Sequence, residues 1–271
     1  MNLMLFEAHE LTRAGQVVLR DRRAEHLIRV LRVRPGQRLQ AGVWRGARGT
    51  AEVLSASPTE VGLRVDLVGP PPAVPKVDLV LALPRPKVLS RALEIAASFG
   101  VRHVDLVNAW RVDKSYFDSP KLETEELARH ARLGCEQGGC SWLPDITVHR
   151  LFLPFLEEEL KPRLEQQGLR HRLLAHPHSP TWLDAPLELD AKDHVVLAIG
   201  PEGGWIDQEI SSFRDADFLP VALSRAILRV ESALAAGLAQ LELIRHSVGL
   251  RDPVSDPKLT RQSQNQTGRS V

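Results

Sequence analysis

"HVVLAIGPEGGWIDQEISSF", residues 194–213, decides the fold class. It opens on the apolar run Val195-Val196-Leu197, crosses a turn of three glycines, one proline and one acid, and resumes as a helical pattern at Asp207. A short apolar run, a glycine turn and a helix make up the repeating unit of an α/β domain, whose largely parallel sheet binds ligands beyond its strand C-termini. Turns that hold phosphate look similar, because glycine lets backbone N–H groups approach a ligand and the following helix adds a positive dipole. Here Glu202 puts a negative charge where phosphate would sit, and Coulomb repulsion disfavours a polyanion. The turn tolerates a cation. The same residues also read simply as a tight turn ahead of the helix at Asp207.

Working outward, the same alternation recurs on both sides. Apolar runs at 77–83, 103–107, 146–152, 172–176 and 218–223 are separated by helical patterns at 87–99, 124–136, 155–167 and 207–213, and a last helix covers 229–247. Three loops, 175–180, 199–205 and 223–233, leave strand C-termini and converge on one site if their strands are neighbours. Before the proline-rich joint "GPPPAVP" (69–75) the pattern changes to short strands at 16–19, 37–40, 51–54 and 61–67, interrupted by one helix at 24–31 whose core face is Val30 and Leu31. The expected organisation is a small β-barrel domain over 1–70 and an α/β domain over 71–249. The tail 250–271 has almost no large apolar residues and is expected to be disordered.

Composition removes several classes. With 271 residues, 43% hydrophobic and 25% charged, the chain is an ordinary globular one, and its apolar runs reach strand length, not membrane-spanning length. Acids at Glu7 and Glu10 interrupt any signal-peptide core, so a cytoplasmic location with no membrane partner is expected. Cys135 and Cys140 stand alone in C-x4-C spacing, and His176 and His178 have no carboxylate or cysteine at ligand spacing, so no metal site is expected. The net charge of +1 hides eleven arginines, no lysine and seven acids within residues 1–70. Such a surface suits phosphate contacts and equally suits plain solvation. Neither G-x-G-x-x-G after an early strand nor G-x-x-x-x-G-K-[ST] occurs, which argues against a nicotinamide-dependent oxidoreductase or a nucleoside triphosphatase.

Four segments, "HLIRVLRVRPGQRL" (26–39), "CEQGGCSWLPDI" (135–146), "AIGPEGGWIDQEI" (198–210) and "ILRVESA" (227–233), resemble in order and spacing the signature stretches of the RsmE family across residues 1–250. These are 16S ribosomal RNA uridine-N3 methyltransferases of the SPOUT superfamily. The resemblance implies a PUA-like RNA-binding domain followed by a SPOUT domain with a trefoil knot, a homodimer, and S-adenosylmethionine as cofactor. That molecule carries a sulfonium and an ammonium and no phosphate, in keeping with Glu202. The implied cofactor residues are Leu174, Ala175, Ala198, Ile199, Gly200, Pro201, Gly203, Gly204, Leu223, Ile227 and Leu228. Three places depart from the family pattern: Ala109-Trp110-Arg111 stands for Ser-Glu-Arg, Cys140 replaces the arginine of Glu-Gln-x-x-Arg, and Leu223-Ser224-Arg225-Ala226 displaces an arginine by one.

Methyl transfer to uridine N3 requires loss of the N3 proton and stabilises best when donors meet the negative charge spreading onto O2 and O4. N3 lies on the Watson–Crick edge, so the base must be unpaired or flipped out. Arg229 and Arg225 are the candidates for the uracil oxygens, Glu231 for orienting Arg229 within the chain or from a partner subunit, and Glu202 for the base or for the cofactor's cationic end. Arg225 reads equally as a surface charge, and Arg229 with Glu231 as a helix-terminal pair. The candidates for contact with 16S rRNA or the small subunit are His26, Arg29, Arg32, Arg34 and Arg111. Trp44 and Trp110 read as packing residues before base-stacking platforms. A catalytically silent RNA-binding or assembly factor on the same fold is the alternative from another class.

Overall fold

A computed structural model describes residues 2–184, 189 and 193–251. The C-terminal apolar runs form six parallel strands, β6 (Val77–Ala82), β7 (His103–Val107), β8 (Asp145–His149), β9 (His171–Ala175), β10 (Val195–Ile199) and β11 (Leu219–Val221), in the order β11-β9-β10-β6-β7-β8. Every residue of β6 and β10 is buried, as continuous apolar strands covered on both faces must be. The helices are α2 (Pro86–Ser98), α3 (Thr124–Gly138), α4 (Phe152–Pro154), which runs through a π turn (Phe155–Leu160) into α5 (Lys161–Gln166), α6 (Asp207–Asp215) and α7 (Val230–Arg251). α2 packs on α3 and α7, while Phe152, Trp205, Phe213 and Phe218 stack together around α6. Of the expected disordered tail, residues 250 and 251 end α7, and 252–271 lie outside the described residues.

The N-terminal part is a curled five-stranded sheet in the order β1-β3-β4-β5-β2. β2 (Gln16–Leu19), β3 (Arg38–Val43), β4 (Arg48–Ala56) and β5 (Val61–Leu67) follow the expected runs. β1 (Met4–Phe6), pairing parallel with β3, carries too few residues for a period to show. α1 (Arg22–His26) continues into a π turn, Leu27–Leu31, ended by Arg32 in the left-handed region at φ 50°. The wider turn rotates the side chains that follow it, so Val30 and Leu31 are 65% and 40% exposed instead of facing the core. Ala24, Leu27 and Val33 fill the core in their place.

The two sheets meet along the segment 135–146. Glu136 is buried, its carboxylate takes a two-pronged contact from Arg22 (2.9 and 2.6 Å), and its carbonyl accepts from the N–H groups of Asn2 and Leu3 (2.9 and 3.0 Å). The Arg45 N–H donates to the Ser141 carbonyl (2.7 Å), and its guanidinium lies 4.8 Å over the Trp142 ring. Leu3 and Leu5 pack against Ala97, Ala131 and Cys135. This motif therefore does structural work at the seam, remote in role from the loops that follow.

Candidate functional site

Because β11, β9 and β10 are neighbours, the three loops leaving their C-terminal ends do converge. They line a cavity of about 450 Å³. Of the expected cofactor residues, Ala175, Ile199, Gly200, Pro201, Gly203, Gly204, Leu223, Ile227 and Leu228 are in its wall. Leu174 and Ala198 are fully buried in β9 and β10, beneath the wall. Trp205, Asp207, Val230 and Ala233 join the wall without having been singled out, and His176 and His178, weighed in the sequence only as metal ligands, line it as well.

The turn itself is built by sterics. The Gly204 N–H donates to the Pro201 carbonyl (2.8 Å), and Gly204 sits at φ 73°, a region that favours glycine. Trp205 folds back under the turn, 5% exposed and edge-on to Phe213 at 5.0 Å. A Cβ on Gly200 would lie 3.1 Å from its indole ring, so glycine there lets the plug close.

Charged residues around this turn are anchored in ways that spacing does not reveal. Glu202 accepts from the Arg85 N–H (3.2 Å) and lies 3.9 Å from that guanidinium, which ties the turn to the start of α2. Arg111, a candidate for RNA contact, donates to the Gly203 carbonyl and lines the cavity. Buried Glu209 accepts from the Ile206 N–H (2.9 Å) and from the Trp110 N–H (2.7 Å), joining α6 to the loop after β7. The first of these contacts is half of a capping box, legible in principle from an acid three residues into the helix. Glu209→Ala leaves both N–H groups without their partner and is expected to cost about 2–6 kcal/mol, at about 1–3 per group; urea denaturation measures it, and a loss below about 1 kcal/mol would contradict the bridging role.

Arg229 is exposed immediately before α7, between the wall residues Leu228 and Val230, and its carbonyl accepts the helix's first bond from Ala233 (2.8 Å). Among the described residues it makes no ion pair, with Glu231 or any other acid. A cation here opposes the helix dipole, whereas Glu231 in the first turn favours it. Glu231 is thus accounted for by helix stability, and Arg229 is not. Arg225 is exposed and outside the cavity wall, though its neighbours Ser224 and Ala226 belong to it. In the N-terminal sheet His26 is half-buried, Arg29 pairs with Glu25 (2.8 Å), and Arg32 and Arg34 are exposed at the end of the π turn.

The wall suits a ligand with an apolar ring and a cationic end. Among the described residues Arg111 is its one guanidinium, already committed to Gly203, and Glu202 and Asp207 supply carboxylates. Burial, then His178, lower the pKa of His176, which favours the neutral imidazole. No group of His, Cys, Asp or Glu able to hold a metal occurs among the described residues, and none of their helices is long and apolar enough to cross a membrane.

The model of the RNA methyltransferase domain matches residues 71–242, and that of the RNA methyltransferase PUA domain matches 19–66. Ribosomal RNA small subunit methyltransferase E of Treponema pallidum is 30% identical over 241 residues, spanning 88% of this chain and 90% of that protein. Ribosomal RNA small subunit methyltransferase E 1 of Borreliella burgdorferi is 26% identical over 237 residues, spanning 87% and 95%. The crystal structure of a ribosomal RNA small subunit methyltransferase E from Neisseria gonorrhoeae bound to S-adenosyl methionine shares the fold, with a TM-score of 0.69 at 20% identity over 90% of this chain and 98% of that one. Two sheets joined through Glu136, a glycine turn over a tryptophan plug and matches along nearly the whole length place the chain in the ribosomal RNA small subunit methyltransferase E family of RNA methyltransferases.

Proposed function

We propose that the chain methylates N3 of one uridine in 16S ribosomal RNA, with S-adenosylmethionine as methyl donor, as a cytoplasmic homodimer. The observation that carries this reading is the single cavity made by three converging loops, closed against polyanions by Glu202 and open to a cation. The backbone of Ile199–Gly204 and the side chains of Leu223, Ile227 and Leu228 would hold the cofactor, which supplies an electrophilic methyl group on sulfonium sulfur. Glu202 and Asp207 present negative charge toward its cationic end. Arg229 meets the negative charge that uracil O2 and O4 acquire when N3 loses its proton. His176 and Glu202, both in the wall, would take that proton. His26, Arg29, Arg32 and Arg34 face the rRNA phosphates from the N-terminal sheet. Ile227, 78% exposed, and Leu243, 63% exposed, offer apolar surface on the last loop and on α7 for a second copy.

The test is incubation of purified protein with labelled S-adenosylmethionine and undermethylated small subunits, followed by nucleoside analysis. N3-methyluridine is expected; cofactor binding without transfer to any RNA would favour the silent RNA-binding factor. A second expectation concerns pH. Because the pKa of His176 is lowered from 6.5, kcat/KM should hold at neutral pH and fall only below that value as the imidazole charges. In His176→Gln that acidic limb should vanish; a limb of the same shape in the variant would remove His176 from the mechanism.

A further inference from the structure

A second cavity, of about 440 Å³, opens beside the first, between the loop after β7, the loop after β8 and the start of α6. We propose that it holds an unpaired base of the substrate RNA next to the one being methylated, stacked on Trp110; the proposal rests on the RNA methyltransferase reading above.

The walls are mostly apolar, from Val112, Leu151, Phe152 and Ile206. At the rim Trp110 is 80% exposed and Leu151 65% exposed, so the indole that the sequence suggested as packing packs little. Trp44, by contrast, is half-buried at the seam between the sheets. The Trp110 backbone is nevertheless held, through its N–H on the buried Glu209 carboxylate at 2.7 Å. A flat ring on a fixed backbone, free on its outer face, has the properties of a stacking platform.

Polar groups narrow the occupant. Asn108 lines the cavity; its Nδ2 donates to the Arg150 carbonyl (3.0 Å), and its buried Oδ1 has no partner. That bond fixes the Asn108 amide in a wall that is otherwise mostly apolar. Lys114 in the wall and Arg111 next to Trp110 give the cationic surroundings that a phosphodiester backbone needs and that a greasy partner segment does not.

Position ties the two cavities together. Trp205 and Asp207 face one, Ile206 and Gln208 the other, so ligands in them lie side by side across the first turn of α6. Glu209 and Arg111 strap the same loop to α6 and to the glycine turn, respectively. One base turned toward the cofactor and its neighbour stacked on Trp110 would together fix the register of the strand.

The test compares the parent protein with Trp110→Ala and Trp110→Phe on undermethylated small subunits, and measures binding of a short single-stranded RNA carrying the target uridine, intact or with an abasic residue on either side. Expected for Trp110→Ala is a KM for subunits raised about 5- to 100-fold with little change in kcat or in cofactor affinity, and for Trp110→Phe a KM within about threefold of the parent. One abasic position should weaken binding to the parent by a similar factor and have no further effect in Trp110→Ala. An unchanged KM and equal RNA affinity in Trp110→Ala would overturn the proposal while leaving the methyltransferase reading intact. Conversion of a dimer to a monomer by Trp110→Ala in sedimentation would also overturn it, since a second copy would then occupy the cavity. Failure of the parent to methylate any subunit, with Trp110-dependent RNA binding retained, would sink the activity and support the pocket.

Discussion

Arg229→Ala is expected to slow methyl transfer about 100- to 1,000-fold, the usual loss when one donor to a developing oxyanion is removed. Affinity for S-adenosylmethionine should stay within about twofold, because the proposed cofactor contacts come from the backbone and apolar side chains of the neighbouring loops. The physical case rests on where the residue sits. It directly precedes a 22-residue helix, where a positive charge is unfavourable, it is exposed, and it pairs with no acid among the described residues. Nothing in the fold rewards an arginine at that point, so thermal stability should be unchanged or slightly raised in the variant. Arg229→Lys keeps the charge without the planar fork and should recover only part of the rate. Single-turnover transfer to undermethylated subunits measures all three proteins, and product formation at the parent rate in Arg229→Ala would remove Arg229 from the chemistry.

Asp105→Ala should cost about 3–5 kcal/mol, the range for breaking a buried ion pair on one side. Asp105 lies in the middle of β7, fully buried, where it accepts from His103 (3.0 Å), His149 (2.8 Å) and Arg163. Burial alone would raise its pKa, but the hydrogen bonds from His103, His149 and Arg163 outweigh that and hold the carboxyl well below the ordinary carboxylate range. Its removal takes the carboxylate partner from the Arg163 guanidinium, from His103 and from Nε2 of His149, whose Nδ1 keeps Glu159 at 3.3 Å. For a protein of this size the loss corresponds to a fall in Tm on the order of 10 °C. The sign of the pH dependence follows from the lowered pKa. The stabilisation is complete above about pH 5, where the unfolded carboxylate is ionised, and drains away as pH falls further. The parent and the variant should therefore differ by less in acid than at pH 7. Urea denaturation at the two pH values checks this, and a difference below about 1 kcal/mol at pH 7 would mean that the cluster is not stabilised by the aspartate.

Local pattern carried much of the fold. Runs such as Val77–Ala82 and Val195–Ile199 are apolar because both faces of the sheet are covered, and that burial is visible as composition. The turn at Gly200–Gly204 was legible for the same reason, since its glycines answer to a close indole and a positive φ. Local reading failed where long-range geometry decides. Val30 and Leu31 fit a helical core face until the π turn rotates them outward, and three residues of β1 are too few to show a strand. Arg111 and Glu202 look free in sequence, yet one closes on Gly203 and the other on Arg85, contacts across 92 and 117 residues. Glu136 stands in a stretch that resembles a family signature, and only the fold shows that its carboxylate holds Arg22 at the seam between the sheets.

The central claim is one methyl group on one uridine, and it is tested most directly on the RNA of the source organism. Methylation at N3 blocks the Watson–Crick edge, so reverse transcription of 16S rRNA stops next to the modified base. In a strain lacking this gene a single stop should disappear, with N3-methyluridine lost from the nucleoside digest; the parent gene should restore both, and the Arg229→Ala gene should not. Persistence of every stop and of N3-methyluridine in the deletion strain would contradict the account.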